Sequence, residues 1–176
     1  EATTRCQQNV AGLNLLARQD TSEINYQRHA GILKQSDADL GPVGNNRDLG
    51  FFLQPMLVLE EQHGFPLGFS HISWFNRSWE KETKEERKYQ QLPITEKESY
   101  RWLDRSFRTK ELLNQANRVT LRADREADIY EEFVTVPDDR THLVIRSLQN
   151  RCLAYRSEKL FERRAGLAPV GSYQLT

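Results

Sequence analysis

The sequence predicts an α/β domain built on a mixed β-sheet, and three observations predict it. Runs that are apolar or alternate apolar with polar residues read as strands at 12–20, 51–62, 67–75, 118–124 and 142–146. Helical spacing separates the later runs from one another but not the first three. Glycine, proline and asparagine gather between the runs, notably at 41–50 and 63–66. Three strands followed by helix and strand in alternation give a sheet that starts antiparallel, continues parallel and carries helices on its faces.

Length and charge narrow the possibilities. The 176 residues suit one domain able to bury a real core. Lys plus Arg and Asp plus Glu each number 25, a net charge of zero that argues against a generic polyanion binder. Any nucleic-acid contact must come from local placement of Arg and Lys. Cys6 and Cys152 match no zinc spacing and read as free thiols in a reducing cytosol. No apolar run is long enough to span a membrane, and no signal peptide is visible. The chain opens on Glu1 and has one methionine, Met56, so it is expected to be a piece of a longer protein. Its expected organisation is a loose leading segment at 1–12, a core at 13–170, and the first strand of a further β-rich part at 171–176.

The first strand ends on Asp20. Leu13, Leu15 and Ala17 face one way; Asn14, Leu16, Arg18 and Asp20 face the other. Asp20-Thr21-Ser22 is ordinary turn chemistry. Residues 34–50 read as a loop whose glycines lack the lysine of a phosphate-binding pattern. The apolar run Phe51 to Leu59 suggests a strand covered on both faces, with Pro55 marking a bulge or a strand start. With 67–75 it forms an antiparallel hairpin. His63 and His71 lack a second ligand type nearby, which argues against metal ligation. Trp74 and Trp79 are assigned to core or rim packing rather than base stacking.

The mixed-sign run 80–91 reads as a solvated helix face or a mobile loop. Thr95 and Glu98 have capping-box spacing, and Ser99, Trp102, Leu103, Ser106 and Phe107 mark the buried stripe of a helix reaching about Arg108. A second short turn is expected over 111–116. Pro137-Asp138-Asp139 forms a turn, and Ser157 is expected to cap a helix over 158–165 that Gly166 closes.

The stretch Arg118 to Tyr130 organises the rest. Val119, Leu121 and Ala123 alternate with Thr120, Arg122 and Asp124, and from Ala127 the apolar residues Ala127, Tyr130, Phe133 and Val134 recur at helical spacing. Asp124 stands at the switch. Its ordinary role there is a helix cap. Ligands of open α/β sheets, however, bind beyond the carboxyl ends of strands. The element order is that of the ribonuclease H fold, in which the first and fourth strands lie side by side and parallel. Asp20 and Asp124 would then meet. Close carboxylates repel unless a cation lies between them, and Mg²⁺ or Mn²⁺ would both neutralise them and serve phosphoryl transfer.

Gln19-Asp20-Thr21-Ser22, the run from Gly50 to Arg77, Lys97 to Trp102, Ala123 to Phe133 with its Asp-Arg-Glu-Ala-Asp core, and Leu143 to Ser147 resemble DDE transposases. The bacterial insertion-sequence-four family, which includes the transposon-five transposase, is the most similar group. The resemblance covers nearly all of 13–176. It implies that Asp20 and Asp124 are catalytic and hold two divalent ions, that the substrate is double-stranded DNA cut and joined at transposon ends, and that the full-length protein works as a dimer in the bacterial cytoplasm, near the nucleoid. Arg125 and Arg146 fall inside matched motifs and are expected to meet DNA phosphates, or else to pair with Glu126 or Asp128.

The sequence departs from the family in one respect. The family's third carboxylate is a glutamate in a Tyr-Arg-Glu-Lys pattern on a later helix, which this sequence lacks. The chain by itself is therefore expected to be inactive. A ribonuclease H-fold nuclease and a catalytically inactive DNA-binding relic stand as the alternatives.

Overall fold

The computed structural model describes residues 2–29, 31–33, 39–44, 46–79, 91–154 and 157–171. The chain divides into two compact units, Glu1–Arg146 and Ser147–Thr176. The sheet-bearing unit thus ends at Arg146 rather than at 170.

A seven-stranded mixed sheet forms the first unit, in the order β2-β4-β1-β6-β7, with β3 and β5 also on β4. Its strands are β1 (Asn14–Gln19), β2 (Ser22–Asn25), β3 (Gly41–Val43), β4 (Asp48–Glu60), β5 (Pro66–Phe75), β6 (Arg118–Ala123) and β7 (Thr141–Ile145). The thirteen-residue β4 is the hub. β1 and β2 pair antiparallel along one of its edges, and β5 and β3 pair antiparallel along the other. β1–β6 and β6–β7 are parallel. The 51–62/67–75 hairpin, the strand at 118–123 and the strand at 141–145 follow the sequence pattern.

Three helices, α1 (Ala2–Gln8), α2 (Tyr100–Leu112) and α3 (Tyr130–Thr135), accompany this sheet. Residues in or just after them, Cys6, Val10, Leu113, Ala116 and Val136, close the core against Leu15, Ala17, Met56, Val58, Val119 and Leu121 of the sheet. All of this lies on one sheet face. The other carries half-buried Leu16, Leu57, Leu59 and Thr120, and exposed Arg18, Arg122 and Val144.

Several expectations change. The leading segment is a helix that carries core residues, not a loose lead-in, because Cys6 and Val10 supply apolar surface that the sheet buries. β4 is buried on alternate residues rather than on both faces. The 34–50 loop holds β3 and the start of β4, and β2 begins at Ser22, two residues after Asp20. Gly50 makes this crowding possible: a Cβ there would lie 2.1 Å from the Ile24 carbonyl oxygen on β2. No capping box opens α2. Ser99 is its N-cap without a side-chain bond, and Glu98 instead accepts from Arg77 and Arg101. Burial works to raise the Glu98 carboxyl, but those guanidinium bonds hold it below its ordinary value. α2 also runs one turn past Arg108 and buries Trp102, Leu103, Ser106 and Thr109, while Phe107 stays exposed. Trp74 is 66% exposed rather than packed in the core. The run 80–90 and residues 172–176 lie outside the described residues.

On α3 the expected stripe points outward. Tyr130, Phe133 and Val134 are exposed, and Glu132 is buried instead, accepting from the Ser106 hydroxyl of α2. In the second unit, α4 (Leu160–Ala165) begins after Lys159, not at Glu158, and the Lys159 amide donates to Glu162 Oε2 at 3.0 Å. Cys6 and Cys152 are both free thiols. Among the described residues, no helix is long and apolar enough to cross a membrane.

Burial pushes the Glu132 carboxyl up to about 6, with the Ser106 hydrogen bond acting in the opposite sense. The folded state therefore prefers this group protonated. Its contribution is most favourable below the ordinary value of 4.5 and is lost as pH rises through about 6. Glu132→Gln should raise stability by about 1–2 kcal/mol near neutral pH and by far less at mildly acidic pH. Urea titrations of both proteins under the two conditions check this, and equal gains at both would contradict it.

Candidate metal centre

The parallel pairing of β1 with β6 sets Asn14 opposite Arg118 and Arg18 opposite Arg122, a constant offset of 104 residues. Continued by two residues, that register sets Asp20 opposite Asp124. The strands end at this level, side by side at the ordinary spacing of about 4.8 Å. β7 continues the row: Ala123 pairs with Ile145, so Arg146 falls beside Asp124, and its amide donates to the Ala123 carbonyl at 3.4 Å.

Local bonds fix each carboxylate. Asp20 Oδ1 accepts from the Thr21 amide at 2.8 Å. Asp124 has extended backbone and caps the 3₁₀ turn Arg125–Ala127, its Oδ1 accepting from the Glu126 amide at 2.8 Å. The capping role and a ligand role are thus compatible, because capping uses one of the two oxygens. Strand alternation then aims both side chains away from the helix-covered core.

Asp20 and Asp124 line a single cleft of about 360 Å³. Arg18, Gln19, Arg122, Ala123, Val144, Ile145 and Arg146 complete its lining. Arg18 Nη2 lies 3.7 Å from Asp20 Oδ2, a long and exposed pair. Among the described residues, no ion pair holds Arg122, Arg125 or Arg146. Glu126 is paired with Arg101, Nη2 to Oε2 at 3.4 Å, and Arg101 in turn lies over the Phe75 ring at 4.5 Å. That arrangement draws Glu126 away from pairing with Arg125.

The donor set suits a hard divalent cation. Mg²⁺ is commonly held by one or two carboxylates, with water and substrate phosphate completing its octahedron. Among the described residues, no group of three or more His, Cys, Asp and Glu side chains forms a closed metal cage. Two carboxylates at one cleft match an ion whose remaining positions are filled by water and substrate.

Of the residues singled out from sequence, the cleft gathers Asp20, Asp124 and Arg146. Arg125 does not line it and instead opens the 3₁₀ turn. Arg18 and Arg122 were missed. The signal was present: both acidic strand ends read Arg-x-Asp, and period-two spacing puts the arginine on the same face as the aspartate. No protein-family model matches the chain, and no curated protein matches it.

Calorimetric titration with Mn²⁺ should show weak binding that falls at least ~10-fold in Asp20→Asn and in Asp124→Asn, since losing a ligand costs no less than losing an outer-shell partner. Binding that survives both substitutions would place the ion elsewhere.

Proposed function

We propose that the sheet is the front of a ribonuclease H-like catalytic core belonging to a DDE transposase of the insertion-sequence-four type. The observation that carries this reading is the shared height of Asp20 and Asp124 at the carboxyl ends of adjacent parallel strands, opening on one cleft. The strand order β5-β4-β1-β6-β7, with only its last three strands mutually parallel, supports the fold assignment. The Asp-Arg-Glu-Ala-Asp run supports the choice of transposase over nuclease within that fold.

In this reading Asp20 and Asp124 hold divalent ions, Mg²⁺ or Mn²⁺, two in the complete enzyme. The ions would lower the pKa of bound water and stabilise both the attacking and leaving oxygens of a phosphodiester. Arg18, Arg122 and Arg146 line the cleft with guanidinium groups suited to phosphate oxygens. Arg125, just outside, would meet the flanking backbone of the double-stranded DNA in this reading. Capping fixes the Asp124 carboxylate before substrate arrives, which limits reorganisation. The protein would act as a dimer on transposon ends in the bacterial cytoplasm. The third carboxylate of such a site is supplied to the cleft by none of the described residues.

The test is a plasmid assay with the full-length protein and its terminal repeats. Joined products that vanish in Asp20→Asn and Asp124→Asn support the reading; cuts without joining indicate a nuclease; binding without cutting indicates a relic. The 176-residue chain alone should not nick supercoiled plasmid in Mg²⁺ or Mn²⁺. Nicking lost in Asp20→Asn would mean that a residue of this chain, Glu126 first, completes the site.

The arginines give a separate prediction. Replacing Arg122, Arg125 or Arg146 by Ala in the full-length protein should each reduce the magnitude of the negative slope of log K against log salt by about 1. Unchanged slopes in all three would show that these side chains do not meet phosphates.

A further inference from the structure

The helix-covered side of the sheet is apolar along β1 and β6 but not behind Asp20. Gln54 on β4 is 1% exposed, and neither its Nε2 nor its Oε1 has a partner. Gln19 is 4% exposed, and its Nε2 also lacks one. Thr21 Oγ1 and His71 Nε2 are buried without partners as well.

These four residues are neighbours. Gln19 pairs with Met56 and Ser22 with Leu53, so the same register sets Thr21 opposite Gln54 and Asp20 opposite Pro55. On the other edge, Gln54 pairs with Ser73 and Met56 with His71. Gln54 therefore has Thr21 as a direct cross-strand neighbour, and Gln19 and His71 as diagonal ones, all within reach of a long side chain.

The chemistry of the unpartnered atoms selects their ligand. Two are amide donors, one is an amide acceptor, and the hydroxyl and imidazole nitrogen can do either. A bare cation would leave the donors unsatisfied, and an anion would leave the acceptors so. Water satisfies both kinds, and buried water is found where several such groups converge. Burial, reinforced by Arg105 and Arg108, pulls His71 below its ordinary value, so no fixed positive charge is expected there.

The position of this cluster gives it a task. β1 ends at Gln19, β2 begins at Ser22, and the ladder is interrupted at Asp20 and Thr21. The residue opposite the break is Pro55, which has no N–H to offer. Asp20 is thus flanked by two residues, Gln19 and Thr21, whose side chains turn inward toward Gln54 while its own turns outward to the cleft. We infer that Gln54, Gln19 and Thr21 enclose ordered water and through it hold the strand break that aims Asp20, which makes Gln54 a positioning residue for the metal centre. The functional half of this inference rests on the metal-site reading above; the structural half does not.

Gln54→Met in the 176-residue chain tests it, with Thr21→Val as the second variant should the first fail to fold. On this account the substitution removes the central partner of the water and leaves the buried Gln19 and Thr21 groups with fewer bonds, so the melting temperature should fall by a few degrees while the fold persists. Amide hydrogen exchange at residues 19–22 should quicken about 10-fold or more, and Mn²⁺ affinity should drop about 10-fold, as for loss of an outer-shell partner. Exchange at 19–22 that matches the wild type would overturn the inference, and so would Mn²⁺ binding that is undiminished while Asp20→Asn abolishes it. If the wild type and Asp20→Asn bind Mn²⁺ equally poorly, the metal-site reading fails, and the exchange rates alone decide whether the cluster holds the break.

Discussion

The parallel pairing of β1 with β6 is the constraint on which the rest depends. Residues 104 apart in sequence are brought into one register, and everything at the carboxyl end of the sheet inherits its position from that pairing. The pairing is held from the core side by Leu15, Ala17, Val119 and Leu121, buried beneath α1 and the residues that follow α2 and α3. Slipping either strand by one residue would turn its two core side chains outward and its aspartate inward. The apolar burial that stabilises the sheet is therefore the same force that specifies the cleft.

The cleft sits where regular structure gives out. Each acidic strand end closes on a short-range bond, Asp20 to the Thr21 amide and Asp124 to the Glu126 amide. Around Asp124 the support is ionic and aromatic, through Glu126, Arg101, Phe75 and Glu98. Around Asp20 it is the polar layer centred on Gln54. Apolar residues at these core positions would pack without unpartnered atoms, and local conflicts of this kind are expected at functional sites rather than in scaffold.

Much of this was legible in the sequence because period-two alternation is a strong signal. The strands at 14–19 and 118–123 carried it, those at 51–60, 66–75 and 141–145 showed as apolar runs bounded by turn residues, and the two aspartates stood visibly at strand ends. Arg18 and Arg122 could have been read from the same alternation, given its repeat of Arg-x-Asp. Other features could not. α1 carries only the sparse four-residue spacing of Ala2, Cys6 and Val10 and is fixed by tertiary burial of Cys6 and Val10. β2 and β3 are short polar or Gly-Pro segments whose strand character comes from pairing with β4, not from propensity. The stripe on α3 misled because this six-residue helix turns Glu132 inward, bonded to Ser106, and is followed by Val136 in the core, which leaves its apolar residues outside. The Gln54 cluster is invisible without the register, since its members are spread over three strands.

The most direct measurement is anomalous diffraction from crystals of the chain soaked in Mn²⁺. A peak between the β1 and β6 ends, within coordinating distance of both Asp20 and Asp124, is the predicted result. A peak bound by only one of the two carboxylates, or none in the cleft while Mn²⁺ occupies other sites, would contradict the account.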